Sequence, residues 1–412
     1  MVRENKYSKD YEKIFLEAGQ RSNANYYQFK KKQFSFAYNG KQQGSLNLNL
    51  YEGVLTSREH VKNISGNISI DADNPTWSSL YGIHSFTITA CPTVIDTKNS
   101  PILTGVKRIL LFGDSLTDQG RLYKFMRGKF PVSPPYYNGR FSNGNPWSIL
   151  LTNELRGKIN IKNYAVGGAT AIFHRGGKYL PFDLFNEYIN FDIHSKIAGW
   201  QNKGRDLVFI LIGANDYESA SKESTEKDME ELTTKVVNNI AWVTNKLIKK
   251  GVKKFVFVGL PNLSVTPESR NIYFNQKVTS RLSLLHNEKL KALTDNYIKT
   301  KTAKSGYFFK FINLSTIMNE LIYHTKAFNQ KYGLNITNTT DPCWTGGYTS
   351  HSSALYRNYS NVEALYAAGI LCKDPEHHAF WDHIHPTSQI HATIYKIIKQ
   401  ELGMKTVPLK AN

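Results

Sequence analysis

The stretch that decides the fold is Val106-Lys107-Arg108-Ile109-Leu110-Leu111-Phe112-Gly113-Asp114-Ser115-Leu116-Thr117-Asp118. Its unbroken apolar run, Ile109 to Phe112, predicts a strand buried on both faces, as in a parallel sheet covered on both sides. Gly113-Asp114 ends the run with turn chemistry, and a serine follows. Open α/β sheets bind ligands outside the carboxyl ends of their strands, which is where Ser115 falls. Alone, such a serine reads first as a turn or helix cap, since most serines after a strand only cap. The rest of the chain decides between the two.

Downstream, strand and helix patterns alternate. An aromatic, Pro- and Gly-rich loop over 131–147 precedes a helix near Trp147–Leu155 and a short strand over Ile159–Ala165. The run Leu207–Ile212 ends at Gly213-Ala214-Asn215-Asp216. Met229, Leu232, Val236, Ile240, Val243 and Leu247 share one face of a helix, which should stop at Gly251. Strand Lys254–Val258, helix 278–299, strand Tyr307–Ile312 and a last helix near Ile390–Leu402 complete the set. Strands separated by helices imply a parallel sheet with helices on both faces.

Upstream the period changes to two. Phe34, Phe36 and Tyr38 alternate with polar residues, as do Leu46, Leu48 and Leu50, and Asn39-Gly40 between them predicts a hairpin. His84–Ala90 alternates as well, and Tyr11–Ala18 reads as a short helix. The expected organisation is a small β-rich N-terminal domain with its linker over residues 1–100, and an α/β domain over 101–412.

Composition narrows the classes. Across 412 residues the formal net charge is +19, which draws the protein toward anionic surfaces. The lysines are scattered and no nucleic-acid motif is present, so an anionic membrane surface is the expected partner and nucleic acid is not. No run of about 18 apolar residues spans a membrane, and the polar start Met1–Lys6 carries no apolar signal segment. The three cysteines, Cys91, Cys343 and Cys372, lack metal-binding spacing. Cys343 and Cys372 flank a polar, aromatic segment that reads as a loop closed by a disulfide, a bridge contributing roughly 3–4 kcal/mol. Three reduced thiols remain the alternative.

Four signals stand at the ends of the predicted elements: Ser115, Asn163–Thr170 with Gly168, Gly213–Asp216 with Asn215, and Trp381-Asp382-His383-Ile384-His385-Pro386. Acyl transfer requires a nucleophile, a base near neutrality, a group to orient that base and donors for an oxyanion. Asp382, three residues before His385 on a turn, can hold one imidazole nitrogen while the other faces a serine. His383 is the second candidate base. Each residue alone has a bland reading: Asn215 as a turn residue, Gly168 as a packing glycine, His385 as an ordinary core histidine. Their joint occurrence in this order is what points to catalysis.

Gly113-Asp114-Ser115-Leu116, Gly168, Gly213-x-Asn215-Asp216 and Asp382-x-x-His385 resemble the ordered blocks of the GDSL, or SGNH, hydrolases. No Gly-x-Ser-x-Gly elbow is present, so the other common α/β-hydrolase arrangement is disfavoured. Gly139-Arg140-Phe141-Ser142-Asn143-Gly144-x-x-Trp147 and Asp341-Pro342-Cys343…Cys372…Phe380-Trp381-Asp382 resemble secreted bacterial members, the thermolabile haemolysins and glycerophospholipid–cholesterol acyltransferases. The resemblance implies an SGNH-type three-layer α/β/α fold and catalysis by Ser115, Asp382 and His385. It implies an oxyanion hole made by Ser115, Gly168 and Asn215, no metal or cofactor, and structural roles for Asp114 and Asp118. It also implies a phospholipid or lysophospholipid substrate, cholesterol as a candidate acyl acceptor, and a secreted, disulfide-bonded protein. The loop 130–147, the segment Phe173–Phe185 and the loop between the cysteines are candidates for an acyl site or its cover, the last as a gate. A short-chain or carbohydrate esterase and a non-catalytic binding or adhesion protein are the competing readings.

Overall fold

A computed structural model describes residues 32–39, 44–51, 54–57, 63–70, 83–90 and 93–97, and then 100–173, 181–217, 220, 223–270, 276–302, 306–348 and 369–408. The expected helix at Tyr11–Ala18 lies outside the described residues. The chain divides into two compact units, one over Pro101–Thr152 and Gly157–Gly403, the other formed by the strands before Ser100 with Asn153–Arg156 and the C-terminal end.

The smaller unit holds β1 (Lys32–Asn39), β2 (Gly44–Tyr51), β3 (Val54–Ser57), β4 (Asn63–Ile70), β5 (Ile83–Ala90) and β6 (Thr93–Ile95). Asn39-Gly40 does not close the expected hairpin. β1 pairs antiparallel with β4, whereas β2 lies between β3 and β5 in a separate sheet. A turn signal marks where the chain breaks, but it does not fix which strands then pair.

The larger unit contains β7 (Arg108–Gly113), α1 (Arg121–Phe125), α2 (Trp147–Glu154), β8 (Asn160–Asn163), α3 (Leu184–Ile197), β9 (Asp206–Leu211), α4 (Ala214–Tyr217), α5 (Glu226–Lys249), β10 (Lys254–Val258), α6 (Gln276–Lys301), β11 (Phe308–Ile312), α7 (Ser315–Tyr323), α8 (Thr325–Tyr332), β12 (Asn338–Pro342), β13 (His378–Phe380) and α9 (Ser388–Glu401). The final strand β14 (Thr406–Pro408) pairs antiparallel with β6 in the smaller unit.

Five strands form one parallel sheet in the order β11-β10-β9-β7-β8. The fold is α/β, with the predicted strand β10 found at its expected bounds. Ile109 to Phe112, Leu207 to Leu211 and Phe255 to Val258 are buried, so the apolar runs read from the sequence are the core of the sheet. The chain steps from β7 to β8 in one direction, then returns past β7 to β9, β10 and β11. Right-handed crossovers therefore place the helices on opposite faces for the two directions, giving three layers. Packing of α3 on α5, and of α5 on α6, agrees with their sharing a face. The reversal lies between β7 and β9, the switch point where such sheets open a crevice for ligand. Ser115 follows one of these strands and Asn215 the other.

Candidate active site

The site begins with the turn after β7. Gly113 has φ +154°, and a Cβ there would collide with the Leu211 carbonyl oxygen on β9, so only glycine lets the two strand ends approach. The Asp114 carbonyl accepts the Thr117 and Asp118 N–H groups at 3.0 and 2.9 Å, and its carboxylate accepts that of Leu116 at 3.1 Å. This tight turn presents Ser115. The Asp118 carboxylate accepts the backbone N–H groups of Gly120, Arg121, Leu122 and Gly167, tying the serine loop to the loop after β8.

The histidine arrives from the other end of the chain. Trp381 N–H donates to the His385 carbonyl at 2.7 Å, folding 381–385 into a closed turn. Asp382 Oδ1 accepts the N–H groups of Ile384 and His385 at 2.8 and 2.7 Å. His385 Nδ1 lies 2.7 Å from Asp382 Oδ2, and His385 Nε2 lies 2.7 Å from Ser115 Oγ. Burial pushes the Asp382 carboxyl up, but the His385 charge, the His385 ring hydrogen bond and the two backbone donors together hold it below its ordinary value. A carboxylate only accepts, so the proton sits on Nδ1, and Nε2 is left to accept the serine hydroxyl. His383 is turned away, its Nε2 lying 3.3 Å from the Thr345 carbonyl oxygen. Of the two candidate bases, the geometry brings only His385 to Ser115.

The loop after β7 that the sequence marks as aromatic supports this pair. Tyr136 donates its hydroxyl to Asp382 Oδ2 at 2.7 Å, across 246 residues of sequence, and its side chain is buried. The Phe141 ring lies 5.0 Å from that of His385, and the Tyr348 ring lies 5.9 Å from His385 and 5.7 Å from Phe141, so the three rings pack together. Ser142 donates to the Pro386 carbonyl at 2.9 Å, and Asn143 Oδ1 accepts the Ser388 N–H at 2.7 Å. Thr387, at the N-cap of α9, makes no side-chain cap bond, so Asn143 caps that helix from a distance. Tyr136 and Phe141 are thus buried against Asp382 and His385. The sequence marked the loop but not this partnership.

The second and third blocks lock to each other and to the first. Val166 N–H donates to the Gly113 carbonyl, and Asn163 Nδ2 to the Thr117 carbonyl. Asp216 accepts the Ala171 and Ile172 N–H groups at 2.7 and 2.9 Å, and Asn215 Nδ2 donates to the Ala169 carbonyl at 2.7 Å. Gly168 has φ +76°, a conformation that aims its peptide as few other residues allow. Neither the Ser115 nor the Gly168 N–H meets an acceptor among the described residues, although the amides of Leu116, Gly167 and Ala169 beside them do. A hydroxyl bonded to an imidazole, with amides that meet no acceptor among the described residues, is an arrangement suited to attack on carbonyls.

Buried acids lie beneath the serine. Burial raises the Asp114 carboxyl to about 7, and Glu187, which accepts the Gly113 N–H at 2.9 Å, is raised well above the ordinary range for the same reason. Neither touches the serine hydroxyl, in keeping with a structural part for Asp114. Cys343 and Cys372 form a disulfide. Their sulfurs and a His378 ring nitrogen come together, but the bridged sulfurs offer no thiolate pair to a metal. The segment 349–368 within this loop and residues 174–180 lie outside the described residues.

This crevice, at the carboxyl ends of a parallel sheet, places the chain in a known class. A family model described as GDSL-like lipase/acylhydrolase matches residues 109–398, and the chain belongs to that family of ester hydrolases. Among curated proteins it is similar to the phosphatidylcholine-sterol acyltransferase of Aeromonas hydrophila, 30% identical over 70% of this chain and 87% of the relative. It is also similar to the secreted effector protein SseJ of Salmonella typhimurium, 25% identical over 70% of this chain and 62% of the relative. The thermolabile hemolysin of Vibrio parahaemolyticus is 23% identical over 69% of this chain and 61% of its own length. The chain thus spans less than two thirds of the last two. No helix among the described residues is long and apolar enough to cross a membrane.

Proposed function

We propose that this protein is a serine acyl hydrolase that releases fatty acid from phospholipid or lysophospholipid. When a sterol such as cholesterol outcompetes water, it passes the acyl group to the sterol. The observation that carries the reading is the continuous relay from Asp382 through His385 to Ser115, with 2.7 Å at each step. Ser115 Oγ attacks the ester carbonyl as its proton passes to His385 Nε2. The carbonyl oxygen becomes an oxyanion held by the N–H groups of Ser115 and Gly168 and the Asn215 side-chain amide. Collapse breaks the ester C–O bond, and His385 returns the proton to the leaving alcohol. Water, or the sterol hydroxyl, then attacks the acyl-serine by the same steps in reverse.

The choice of phospholipid rests on the similarity to a protein named phosphatidylcholine-sterol acyltransferase. A secreted protein is part of the proposal, supported by the Cys343–Cys372 disulfide and by the relative named a secreted effector. So is a division of labour between a small β-rich domain over 1–100 and the hydrolase domain over 101–412. The test is fatty-acid release from phosphatidylcholine and lysophosphatidylcholine, with and without cholesterol, by wild type beside Ser115→Ala. Release lost in the variant supports the reading, and cholesteryl ester adds the transferase. Activity confined to short-chain or acetylated carbohydrate esters would replace the lipid substrate, and folded protein without any esterase activity would overturn the enzyme.

A further inference from the structure

Helix α3 has two apolar faces. Leu184, Tyr188 and Phe191 are buried. On the outside, Phe185, Ile189, Ile193 and Ile197 recur every fourth residue and so form one stripe along the helix. Phe185, Ile193 and Ile197 are 43%, 52% and 82% exposed, and Ile189 is half-buried. Trp242 of α5, itself 40% exposed, extends the stripe, its ring 5.4 Å from that of Phe185. Soluble surfaces rarely collect large apolar side chains in this way unless something covers them.

The charge around the stripe is net positive. Lys246 lies 4.8 Å over the Trp242 ring. Lys196 and Lys250 both reach Asp192, at 2.8 and 2.6 Å, so the single acid on that part of α3 is outnumbered by its own partners. Lys249 adds another cation, and from Val236 to Lys250 the chain carries no acidic residue. An aromatic and aliphatic stripe rimmed by lysine suits the boundary between acyl chains and anionic headgroups, whereas a protein partner of the same sign would be repelled.

We infer that the outer face of α3, with Trp242, is the surface by which the enzyme docks on an anionic phospholipid bilayer. This deepens the lipid hydrolase reading and rests on it for the identity of the surface. The first turn of α3 is bound to the site. The Leu184 N–H donates to the Thr170 carbonyl at 2.9 Å, two residues beyond Gly168, and Glu187 holds the Gly113 N–H two residues before Ser115. Docking by α3 therefore brings the bilayer to the helix that abuts the serine and the glycine loop.

The test uses the full chain carrying Ser115→Ala, so that binding is read without turnover, in sedimentation with vesicles of phosphatidylcholine with and without phosphatidylglycerol. Binding is expected with phosphatidylglycerol, weakening as salt rises. The double change Ile193→Asn/Ile197→Asn should reduce partitioning about tenfold, as should Trp242→Ser made separately, in protein of unchanged thermal midpoint. With Ser115 restored, hydrolysis of a soluble nitrophenyl ester should be unchanged in these variants while release from vesicles falls in parallel with binding. Loss of nitrophenyl activity by Ser115→Ala alone tests the enzyme, so the two readings fail separately. Wild-type binding that ignores phosphatidylglycerol, or variants that bind as wild type, overturns the inference. So does a dimer in lipid-free buffer that the same changes dissociate, which would make the stripe an interface between copies.

Discussion

Replacing Asp114 by asparagine should change how stability depends on pH. Asp114 is buried beside the serine, with Oδ1 bonded to the Leu116 N–H and Oδ2 without a hydrogen-bond partner among the described residues. Burial raises its carboxyl from 3.8 to about 7, the Leu116 N–H and the His385 charge lower it in part, and Asp216 raises it. Below about pH 4 both folded and unfolded chains hold the proton and the group contributes nothing. Between about 4 and 7 the unfolded chain releases it while the folded chain keeps it, so the folded state binds more protons and stability falls as pH rises. Three units of difference at 1.36 kcal/mol each make the loss up to about 4 kcal/mol, complete above about pH 7. Asp114→Asn removes this slope but leaves an amide with an unmet donor in the Oδ2 place, a cost of about 1–3 kcal/mol at every pH. The variant should therefore melt below wild type near pH 4 and at or above it near pH 8. The gap between the two should shift by roughly 8 °C for a unit of this size. Calorimetric melting across that range reads the difference directly. A difference that stays constant with pH would show that Asp114 does not carry a raised carboxyl, and would refute the argument.

Tyr136→Phe removes one buried hydrogen bond to a carboxylate and should cost about 2 kcal/mol of stability. With the orientation of Asp382 loosened, kcat should fall about tenfold with KM little changed, as steady-state kinetics on a soluble ester will read. Asn215→Ala should lower kcat about 100-fold or more in protein that still folds, because among the described residues the amide's one structural bond is to the Ala169 carbonyl. Reducing the bridge between Cys343 and Cys372, 29 residues apart, should lower unfolding stability by about 3–4 kcal/mol, measured by denaturation with and without reductant.

The parallel sheet was legible because its central strands are buried on both faces. Ile109–Phe112 and Phe255–Val258 are continuous apolar runs that no exposed strand would tolerate. α5 was legible because its apolar residues keep one face. By contrast α3 escaped notice for the reason that makes it of interest: with apolar residues on two faces it has no single helical stripe to read. Short helices such as α1 and α4 give too few turns for a period to show. Ser115, Asp382 and His385 could be named because each stands in a local motif of turn chemistry. Tyr136 could not, since its partner lies 246 residues away and nothing local in Pro134-Pro135-Tyr136-Tyr137 says which hydroxyl is buried. The Asn39-Gly40 turn misled for the same reason: pairing of β1 with β4 is a long-range choice that the local dipeptide does not encode.

The central claim is that His385 activates Ser115 toward acyl groups. The most direct measurement is peptide mass spectrometry after exposure to an alkyl fluorophosphonate, with wild type beside His385→Gln and Ser115→Ala. A single phosphonylated residue, Ser115, is expected, labelled quickly in wild type, very slowly in His385→Gln and not at all in Ser115→Ala. Label on another serine, or equal labelling of Ser115 with and without His385, would contradict it.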